Sequence, residues 1–318
     1  MKNIRVCALL LVLVLLLCAC GAAKSPLEQT AAYLKAATPE PSFGSLSGDW
    51  TVFGRARSGV KVPEAYYETY YKNVVEAVTK AGGTLSETKY TEYSRLVLAL
   101  TAIGRDVRDV GGYDLLVPLA DLDRATAQGV NGAIFALLAL DSANYEIPEN
   151  PDAAVQATRE GYAADILFRQ NEDGGWGLAG GPSDVDLTAM ALQALAKYRG
   201  DPAVSGAVER GLAWLEWEQE PDGTFISWDA VNSESVCQVL VALTELGIPP
   251  DDARFVKNGA TVEDVLLRFQ LEDGSFSHTQ NGGSDLTATT QALYALAAAQ
   301  RQRDGKATLY DMTEGPQG

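Results

Sequence analysis

The sequence carries one seven-residue pattern three times in its second half. The copies run from Gln170 to Trp176, from Gln219 to Phe225 and from Gln270 to Phe276, and each has Asp-Gly three residues after the glutamine. The final aromatic residues lie 49 and 51 residues apart, a period typical of stacked supersecondary units. Aspartate bonds its own backbone and glycine accepts positive φ, so each copy predicts a tight turn. The aromatic residue is then a plug in a connection between two longer elements.

Each copy separates an amphipathic segment from a more apolar one. The amphipathic segments cover 152–169, 203–219 and 260–270, and the apolar segments cover 186–198, 234–246 and 285–300. Aligning the apolar segments on their Ala-Leu ends adds two upstream pairs, at 63–80 with 90–103 and at 113–121 with 128–140. A first pair is expected at 27–37 with 48–58. Alanine beside leucine at this density suits helices that are buried on most of their circumference. We therefore predict an all-α domain over residues 27–303, with six helical hairpins closed into an inner and an outer ring.

Charge and residue counts restrict the partners and the chemistry. A net charge of −17 repels phosphate polymers and anionic lipid headgroups, so nucleic acid is not an expected partner. The single histidine, His278, removes most Ser-His and Cys-His chemistry. It also has no companion at metal-ligand spacing, so no metal site is predicted.

The N-terminus predicts export. Lys2 and Arg5 precede an apolar run over residues 6–17, which is too short to span a bilayer and is typical of a signal peptide. The following Leu-Cys-Ala-Cys-Gly resembles the lipobox of bacterial lipoproteins, with Cys20 as the lipidated residue. An ordinary signal cleaved after Ala23 is the alternative.

We accordingly expect a signal peptide over 1–19 and a lipidated tether over 20–26. The protein would be extracytoplasmic, held at the bacterial cell membrane only through its lipid. The segment 304–318 is expected to be a loosely docked arm. Cys237 would then lack an intramolecular partner, so packing rather than a disulfide must stabilise the fold.

The Gln-x-x-Asp-Gly-x-Trp/Phe pattern resembles the repeat of the prenyltransferase and squalene oxidase family. That resemblance implies the α/α toroid of terpene cyclases, protein prenyltransferase β subunits, complement thioester domains and the cobalamin carriers transcobalamin and intrinsic factor. Since these relatives do unrelated things on one scaffold, the site must decide the function.

The segment Asp184-Val-Asp186-Leu-Thr-Ala is similar to the Asp-x-Asp-Asp-Thr-Ala segment of class II terpene cyclases. By that resemblance Asp186 would be the acid that protonates an alkene, although Leu187 replaces the third acid and such cyclases usually have a second helical domain. The alternative is helix capping, because Asp285 and Asn232 occupy the same place in the sister repeats.

Protein prenyltransferases bind zinc through Asp, Cys and His, and their Asp-x-Cys pattern has its nearest counterpart at Cys237. Ser235 stands there in place of the aspartate, so the resemblance does not imply a zinc site. We predict instead that Cys237 is a small buried residue of an inner helix.

Polar residues recur near the N-terminus of each inner helix. Nine residues before the aligned terminal leucines stand Thr91, Asn131, Asp186, Glu234 and Thr287. In a closed ring they would line one mouth, joined by Asp184 and Asp285 and edged by Trp176, Phe225, Trp228, Phe276 and His278. Such a mouth suits a neutral ligand with many functional groups. Helix caps over a solid core are the alternative.

These observations favour a binding protein over an enzyme. The expected ligand is a small molecule, with cobalamin as a candidate because the cobalamin carriers are secreted relatives. The site would be half a cobalamin site, and His278 would face the cobalt. The alternatives are a terpene cyclase that uses Asp186 and a surface adaptor that binds an envelope protein without a small ligand.

Overall fold

The computed structural model describes residues 24–44 and 46–315. Residues 1–23, with the predicted signal peptide and Cys20, lie outside the described residues. The described chain contains twelve α-helices, which alternate between an outer and an inner layer. The outer helices are α1 (Pro26–Ala37), α3 (Glu64–Lys80), α5 (Leu122–Thr126), α7 (Arg159–Phe168), α9 (Pro202–Glu218) and α11 (Val262–Leu266). The inner helices are α2 (Leu46–Arg57), α4 (Thr91–Ala102), α6 (Val130–Asp141), α8 (Val185–Leu195), α10 (Ser233–Glu245) and α12 (Leu286–Arg303).

The inner helices form a closed ring. Each one contacts the next in chain order, and α12 contacts α2. The prediction of an α/α toroid is therefore confirmed. The apolar composition of the inner segments explains the arrangement, because inner helices such as α6 and α10 are buried on nearly every side. None of the helices in the described part of the chain combines the length and apolar character that a bilayer crossing requires.

The third hairpin differs from the prediction. An outer helix expected over 113–121 is wrong: a 3-10 turn covers Pro118–Ala120, and α5 starts only at Leu122. The reason is the cap, since Asp121 Oδ1 accepts a hydrogen bond from the Arg124 N–H over 3.2 Å. The outer helix expected from residue 152 likewise starts at Arg159, because Thr158 caps it. Two short antiparallel hairpins, which the periodicity did not predict, lie in the last two repeats: β1 (Ile226–Ser227) with β2 (Ala230–Val231), and β3 (Phe276–Ser277) with β4 (Ser284–Asp285).

The glutamine of the repeat joins neighbouring units. Gln170 Nε2 donates to the carbonyls of Gly174 in its own turn and Ala207 in the next outer helix, both over 2.8 Å. Gln219 makes the equivalent pair of bonds to Gly223 and Phe255, each over 3.1 Å. In the last repeat Gln270 Nε2 reaches the carbonyl of Pro26 in α1 over 3.1 Å, which closes the ring on its outer side.

The other residues of the repeat build the turn and its plug. The Asp173 carboxylate accepts the Gly175 N–H over 3.0 Å, and Asp222 and Asp273 do the same two residues ahead in their repeats. The plug is then held by the following inner helix. The N–H of Trp176 donates to Thr188 Oγ1 over 2.9 Å. Asp-Gly therefore shapes the connection, and the buried aromatic residue anchors it to the core.

The C-terminal segment is not a loose arm. Within residues 304–315, Leu309, Tyr310 and Met312 are buried, and the Met312 N–H donates to the carbonyl of Ser142 over 2.7 Å. The segment packs against the end of the barrel where the inner helices terminate. The expectation failed because its anchor, the buried Arg57, lies in α2, far away in sequence.

Candidate functional site

A central cavity of about 220 Å³ lies inside the ring. Its wall comes from all six inner helices and the C-terminal segment, and it comprises Trp50, Thr91, Arg95, Asn131, Phe135, Met190, Gln238, Thr287, Thr290, Gln291, Tyr294 and Tyr310. Predicted site residues Thr91, Asn131 and Thr287 are among them. Asp186 and Glu234 are not, although each lies one helical turn before a residue of the wall.

Helical periodicity explains most of this wall. Residues four apart lie on one face of a helix, one turn deeper. Adding four to the predicted positions in α4, α6, α8, α10 and α12 gives Arg95, Phe135, Met190, Gln238 and Gln291, all of which line the cavity. This second layer is not among the predicted site residues, although the spacing of the sequence is sufficient to find it.

The cavity has an aromatic side. Trp50 is central, with its ring centroid 5.8 Å from that of Phe135 and 5.7 Å from that of Tyr294. The three rings come from α2, α6 and α12, which only the closed ring brings together. Such a surface is apolar and presents electron-rich faces that attract a cation.

Glutamines form a polar part of the wall next to Tyr294. Gln238 Nε2 donates to Gln291 Oε1 over 2.8 Å and to the Tyr294 hydroxyl over 2.7 Å. Gln193 Nε2 in turn donates to Gln238 Oε1 over 3.0 Å. The network fixes these side chains against the wall rather than leaving them free to bind.

Among the described residues that line the cavity, Arg95 alone carries a positive charge. Its guanidinium donates to Asp49 Oδ2 over 2.7 Å and also to Glu92. Asp49 is fully buried and accepts a second bond from the Tyr70 hydroxyl over 2.8 Å. Because two carboxylates already neutralise this cation, the cavity offers no free positive charge to an anionic group.

Asp184 and Asp186 have different roles. Asp184 is the cap of α8, because its Oδ1 accepts the N–H groups of Asp186 and Leu187 over 3.0 and 3.2 Å. Its Oδ2 accepts a bond from the Ser227 hydroxyl over 2.6 Å. Asn232 and Asp285 cap α10 and α12 in the same way. The capping alternative therefore holds for Asp184 and Asp285, which leaves Asp186 without that task.

One oxygen of the Asp186 carboxyl is shielded from solvent by the protein. Its Oδ1 is buried and has no hydrogen-bond partner. Burial raises the pKa of Asp186 from its ordinary value of 3.8 to about 6, and the nearby Asp184 and Glu234 carboxylates act in the same direction. A carboxyl group of this kind keeps its proton well above the usual range, as a general acid must.

Glu234 and His278 form a pair at the mouth. Glu234 Oε2 lies 2.9 Å from His278 Nδ1, and the His278 ring is half exposed. The backbone reinforces the pair, since the Ser233 N–H donates to the His278 carbonyl over 2.9 Å. The pair ties the start of α10 to the turn after β3, and neither residue lines the cavity.

Three of the predicted aromatic ligands do not face the mouth. Trp176, Phe225 and Phe276 have no solvent exposure and pack inside the connections as plugs. The prediction that they edge the mouth was wrong. Burial of a large apolar side chain lowers the free energy of the fold more than exposure at a rim would. Trp228 is the exception, with 77% of its surface exposed at the tip of the β1–β2 hairpin.

Cys237 does not offer a reactive thiol. It is completely buried in α10, and burial raises the pKa of its thiol well above the ordinary range. Among the described residues no group of three or more His, Cys, Asp or Glu side chains comes together as a metal site.

Comparison with known proteins supports the class of fold. Over 164 residues the chain is 32% identical to drimenyl diphosphate synthase from Streptomyces showdoensis. That match covers 50% of this chain but only 29% of the synthase, so the chain spans less than a third of its relative. No family model matches the sequence.

Comparison with solved structures indicates the same class of fold. A protein geranylgeranyltransferase-I from Candida albicans superposes with a TM-score of 0.61 and 11% identity, over 91% of this chain and 95% of that one. The type II terpene cyclase MstE from Scytonema superposes with a TM-score of 0.56 and 14% identity, over 87% of this chain and 98% of that one. The protein is thus an α/α toroid of the kind found in prenyltransferases and terpene cyclases.

Proposed function

We propose that this protein is a terpene cyclase-like enzyme in which Asp186 protonates an alkene of a linear isoprenoid. The observation that carries the proposal is the Asp186 carboxyl, whose Oδ1 is buried without a hydrogen-bond partner, one helical turn before Met190 of an aromatic-lined cavity. Two similarities agree with this proposal. The chain is similar to drimenyl diphosphate synthase, and the segment around Asp186 resembles the Asp-x-Asp-Asp-Thr-Ala segment of class II terpene cyclases. This proposal replaces the binding protein as the preferred function.

The proposed reaction needs only a proton and the electrons of the substrate. The Asp186 carboxyl gives its proton to one alkene carbon, and the π pair of that alkene forms the new C–H bond. The resulting tertiary carbocation is attacked by the next alkene of the chain, which forms a C–C bond. Loss of a proton from the last cation gives the product, and a proton returned to Asp186 completes the cycle.

The aromatic side of the cavity supports the cationic steps. The rings of Trp50, Phe135 and Tyr294 come from three helices and form one wall. A cation over such faces gains about 0.5–2 kcal/mol per ring when it is shielded from water. A closed apolar site also protects a carbocation from early capture by water.

The charge of the cavity favours a substrate without a diphosphate inside it. Arg95 is bound by Asp49 and Glu92 and is not free to hold phosphate. We therefore infer that the part of the substrate that enters the ring is neutral.

The proposal does not require a second helical domain. The solved cyclase MstE is covered over 98% of its chain by this toroid, so a chain of this size accommodates the class of fold. Leu187 stands where the family pattern has a third aspartate, so Asp186 lacks a carboxylate on its C-terminal neighbour.

Replacement of the acid tests the proposal. Asp186→Asn keeps the size of the side chain but removes the proton donor. Incubation of wild type with a series of linear polyprenyl substrates should give cyclic products by mass spectrometry, and the variant should lose them by at least about 100-fold. Asp184→Asn, which changes the adjacent cap, is the matched control and should retain most turnover. Equal product formation by wild type and Asp186→Asn, or none by either, would refute the proposal.

We propose in addition that Cys20 carries a lipid that tethers the toroid outside the cell membrane, as the lipobox-like segment predicts. Metabolic labelling with a fatty-acid analogue, compared between wild type and Cys20→Ala, tests this. Cobalamin binding and the adaptor role stay predictions.

A further inference from the structure

One side chain is common to the linings of two cavities inside the ring. Tyr310, at the middle of the C-terminal segment, lines the central cavity and also a second cavity of about 280 Å³. The second cavity lies toward the opposite end of the ring, where Leu138, Gln193 and Glu245 are two to three turns deeper on α6, α8 and α10 than the mouth residues. Tyr310 therefore lies between the central cavity and the second cavity along the axis of the ring.

The segment that carries Tyr310 is held firmly. Arg57 donates through Nε to the carbonyl of Leu309 and through Nη2 to the carbonyls of Thr308 and Asp311, each over 2.8 Å. Only 2% of Arg57 is exposed, so these carbonyls satisfy donors that water does not reach. Departure of the segment would leave a buried guanidinium without those partners, which is strongly unfavourable.

The ring of Tyr310 is positioned as well. It stacks on Phe53 of α2, with centroids 5.6 Å apart and an interplanar angle of 21°. Its backbone N–H donates to Glu245 Oε1 over 3.2 Å. Only 6% of Tyr310 is exposed, so its ring is a fixed floor rather than a mobile side chain.

The two cavities differ in chemistry. The central cavity is bounded by Trp50, Phe135 and Met190, whereas the second is bounded by charged groups that include Asp141, Lys197 and Asp311. An apolar chain that passed Tyr310 would cover these charged groups and remove part of their hydration, which is unfavourable. The volume of about 220 Å³ is also below the roughly 300–1,000 Å³ of usual ligand pockets.

We propose that Tyr310 is the specificity-determining residue that limits the length of the apolar chain the toroid accepts. This inference rests on the proposed function, because it takes the ligand to be a linear isoprenoid. A chain that ends above Tyr310 fits the aromatic cavity, and a chain longer by one isoprene unit collides with the ring. The C-terminal segment thus belongs to the binding site although it follows the last helix.

A binding experiment tests the limit without requiring turnover. Calorimetry with full-length wild type should show tighter binding of geraniol or farnesol than of geranylgeraniol, which differ from one another by isoprene units. Tyr310→Ala should shift the preference to the longer alcohol, with a change in the affinity ratio of at least about tenfold, because more methylene groups become buried. Tyr310→Leu, which retains an apolar contact with Phe53, should shift it less and serves if the alanine variant does not fold.

Two control variants distinguish the effect of the Tyr310 ring from a general destabilisation of the C-terminal segment. Tyr310→Phe retains the ring and should keep the wild-type order of affinities. Met312→Ala removes a buried side chain of the same segment that lines neither cavity, and it should keep that order too. The inference is overturned if Tyr310→Ala leaves the order unchanged, if Met312→Ala shifts it equally, or if none of the alcohols binds either protein. Asp186→Asn should not change the order, so a failure of the proposed chemistry is distinguishable from a failure of this inference.

Discussion

Asp49 accepts a hydrogen bond from Nε of Arg95 over 2.7 Å, and this ion pair joins α2 to α4, which are neighbours in the inner ring. No solvent reaches the Asp49 side chain, and 11% of the Arg95 side chain is exposed. The pair joins α2 to α4 beside the cavity and removes the free charge of Arg95 from its wall. It therefore serves both the packing of α2 against α4 and the neutrality of the site.

Removal of one partner should destabilise the protein strongly. Asp49→Ala leaves the Arg95 guanidinium and the Tyr70 hydroxyl without their buried acceptor, and we expect a loss of about 3–5 kcal/mol in the free energy of unfolding. Urea denaturation followed by circular dichroism measures it. Glu92→Gln changes the more exposed partner of the same arginine and should cost about 1 kcal/mol or less. Similar losses for both variants would contradict the central role of Asp49.

The raised pKa of Asp186 predicts a pH-dependent cost in stability. Its pKa is about 6 in the folded protein and near 3.8 when unfolded, so the folded state holds the extra proton between these values. The contribution of Asp186 to stability is therefore lost as pH rises from about 4 to 6. Asp186→Asn lacks this loss and should be more stable than wild type at pH 7 by about 1–3 kcal/mol, but not at pH 4. Urea unfolding at both pH values measures the difference, and an equal gain at both would disprove it.

The plugs and the exposed tip of the β1–β2 hairpin should respond differently to truncation. Phe276→Ala removes a fully buried ring and should cost about 3–5 kcal/mol. Trp228→Ala removes a ring that is 77% exposed and should change stability by about 0.5 kcal/mol or less. Thermal unfolding of both variants checks the assignment. A large loss for Trp228→Ala would mean that its side chain packs against the protein.

Two helical glycines provide a matched test of packing. A Cβ on Gly132 of α6 would lie 1.9 Å from the carbonyl oxygen of Ala125 in α5, so Gly132→Ala must move one helix and should destabilise the protein by at least about 2 kcal/mol. A Cβ on Gly206 of α9 would meet only the flexible end of Arg210, at 3.6 Å. Gly206→Ala should therefore stabilise by about 0.5–1 kcal/mol through helix propensity. Melting temperatures that move in the same direction would refute the close approach of α5 and α6.

The fold was largely predictable because its signals are local. The three copies of the repeat and the Ala-Leu periodicity are visible within short windows, and Gln170 and Asp173 act on backbone within a few residues or on the next unit. The third outer helix was misplaced because its start depends on one cap at Asp121, which competes with a weak amphipathic pattern upstream. The site was only half predictable, since the polar first turn of each inner helix is visible but its partners are not.

The sequence by itself determined the ring of hairpins, the turns of its repeat and the polar first layer that includes Thr91, Asn131 and Thr287. Only the tertiary structure decided that Trp176 is a plug, that Asp184 rather than Asp186 is the cap, and that Tyr310 lines the cavity. The physical reason is how far apart in the sequence the interacting residues lie. Turns and helix faces follow from neighbouring residues, whereas burial, neutralisation of charge and the floor of a cavity depend on residues such as Phe53 and Tyr310, which are distant in sequence and meet only when the ring closes.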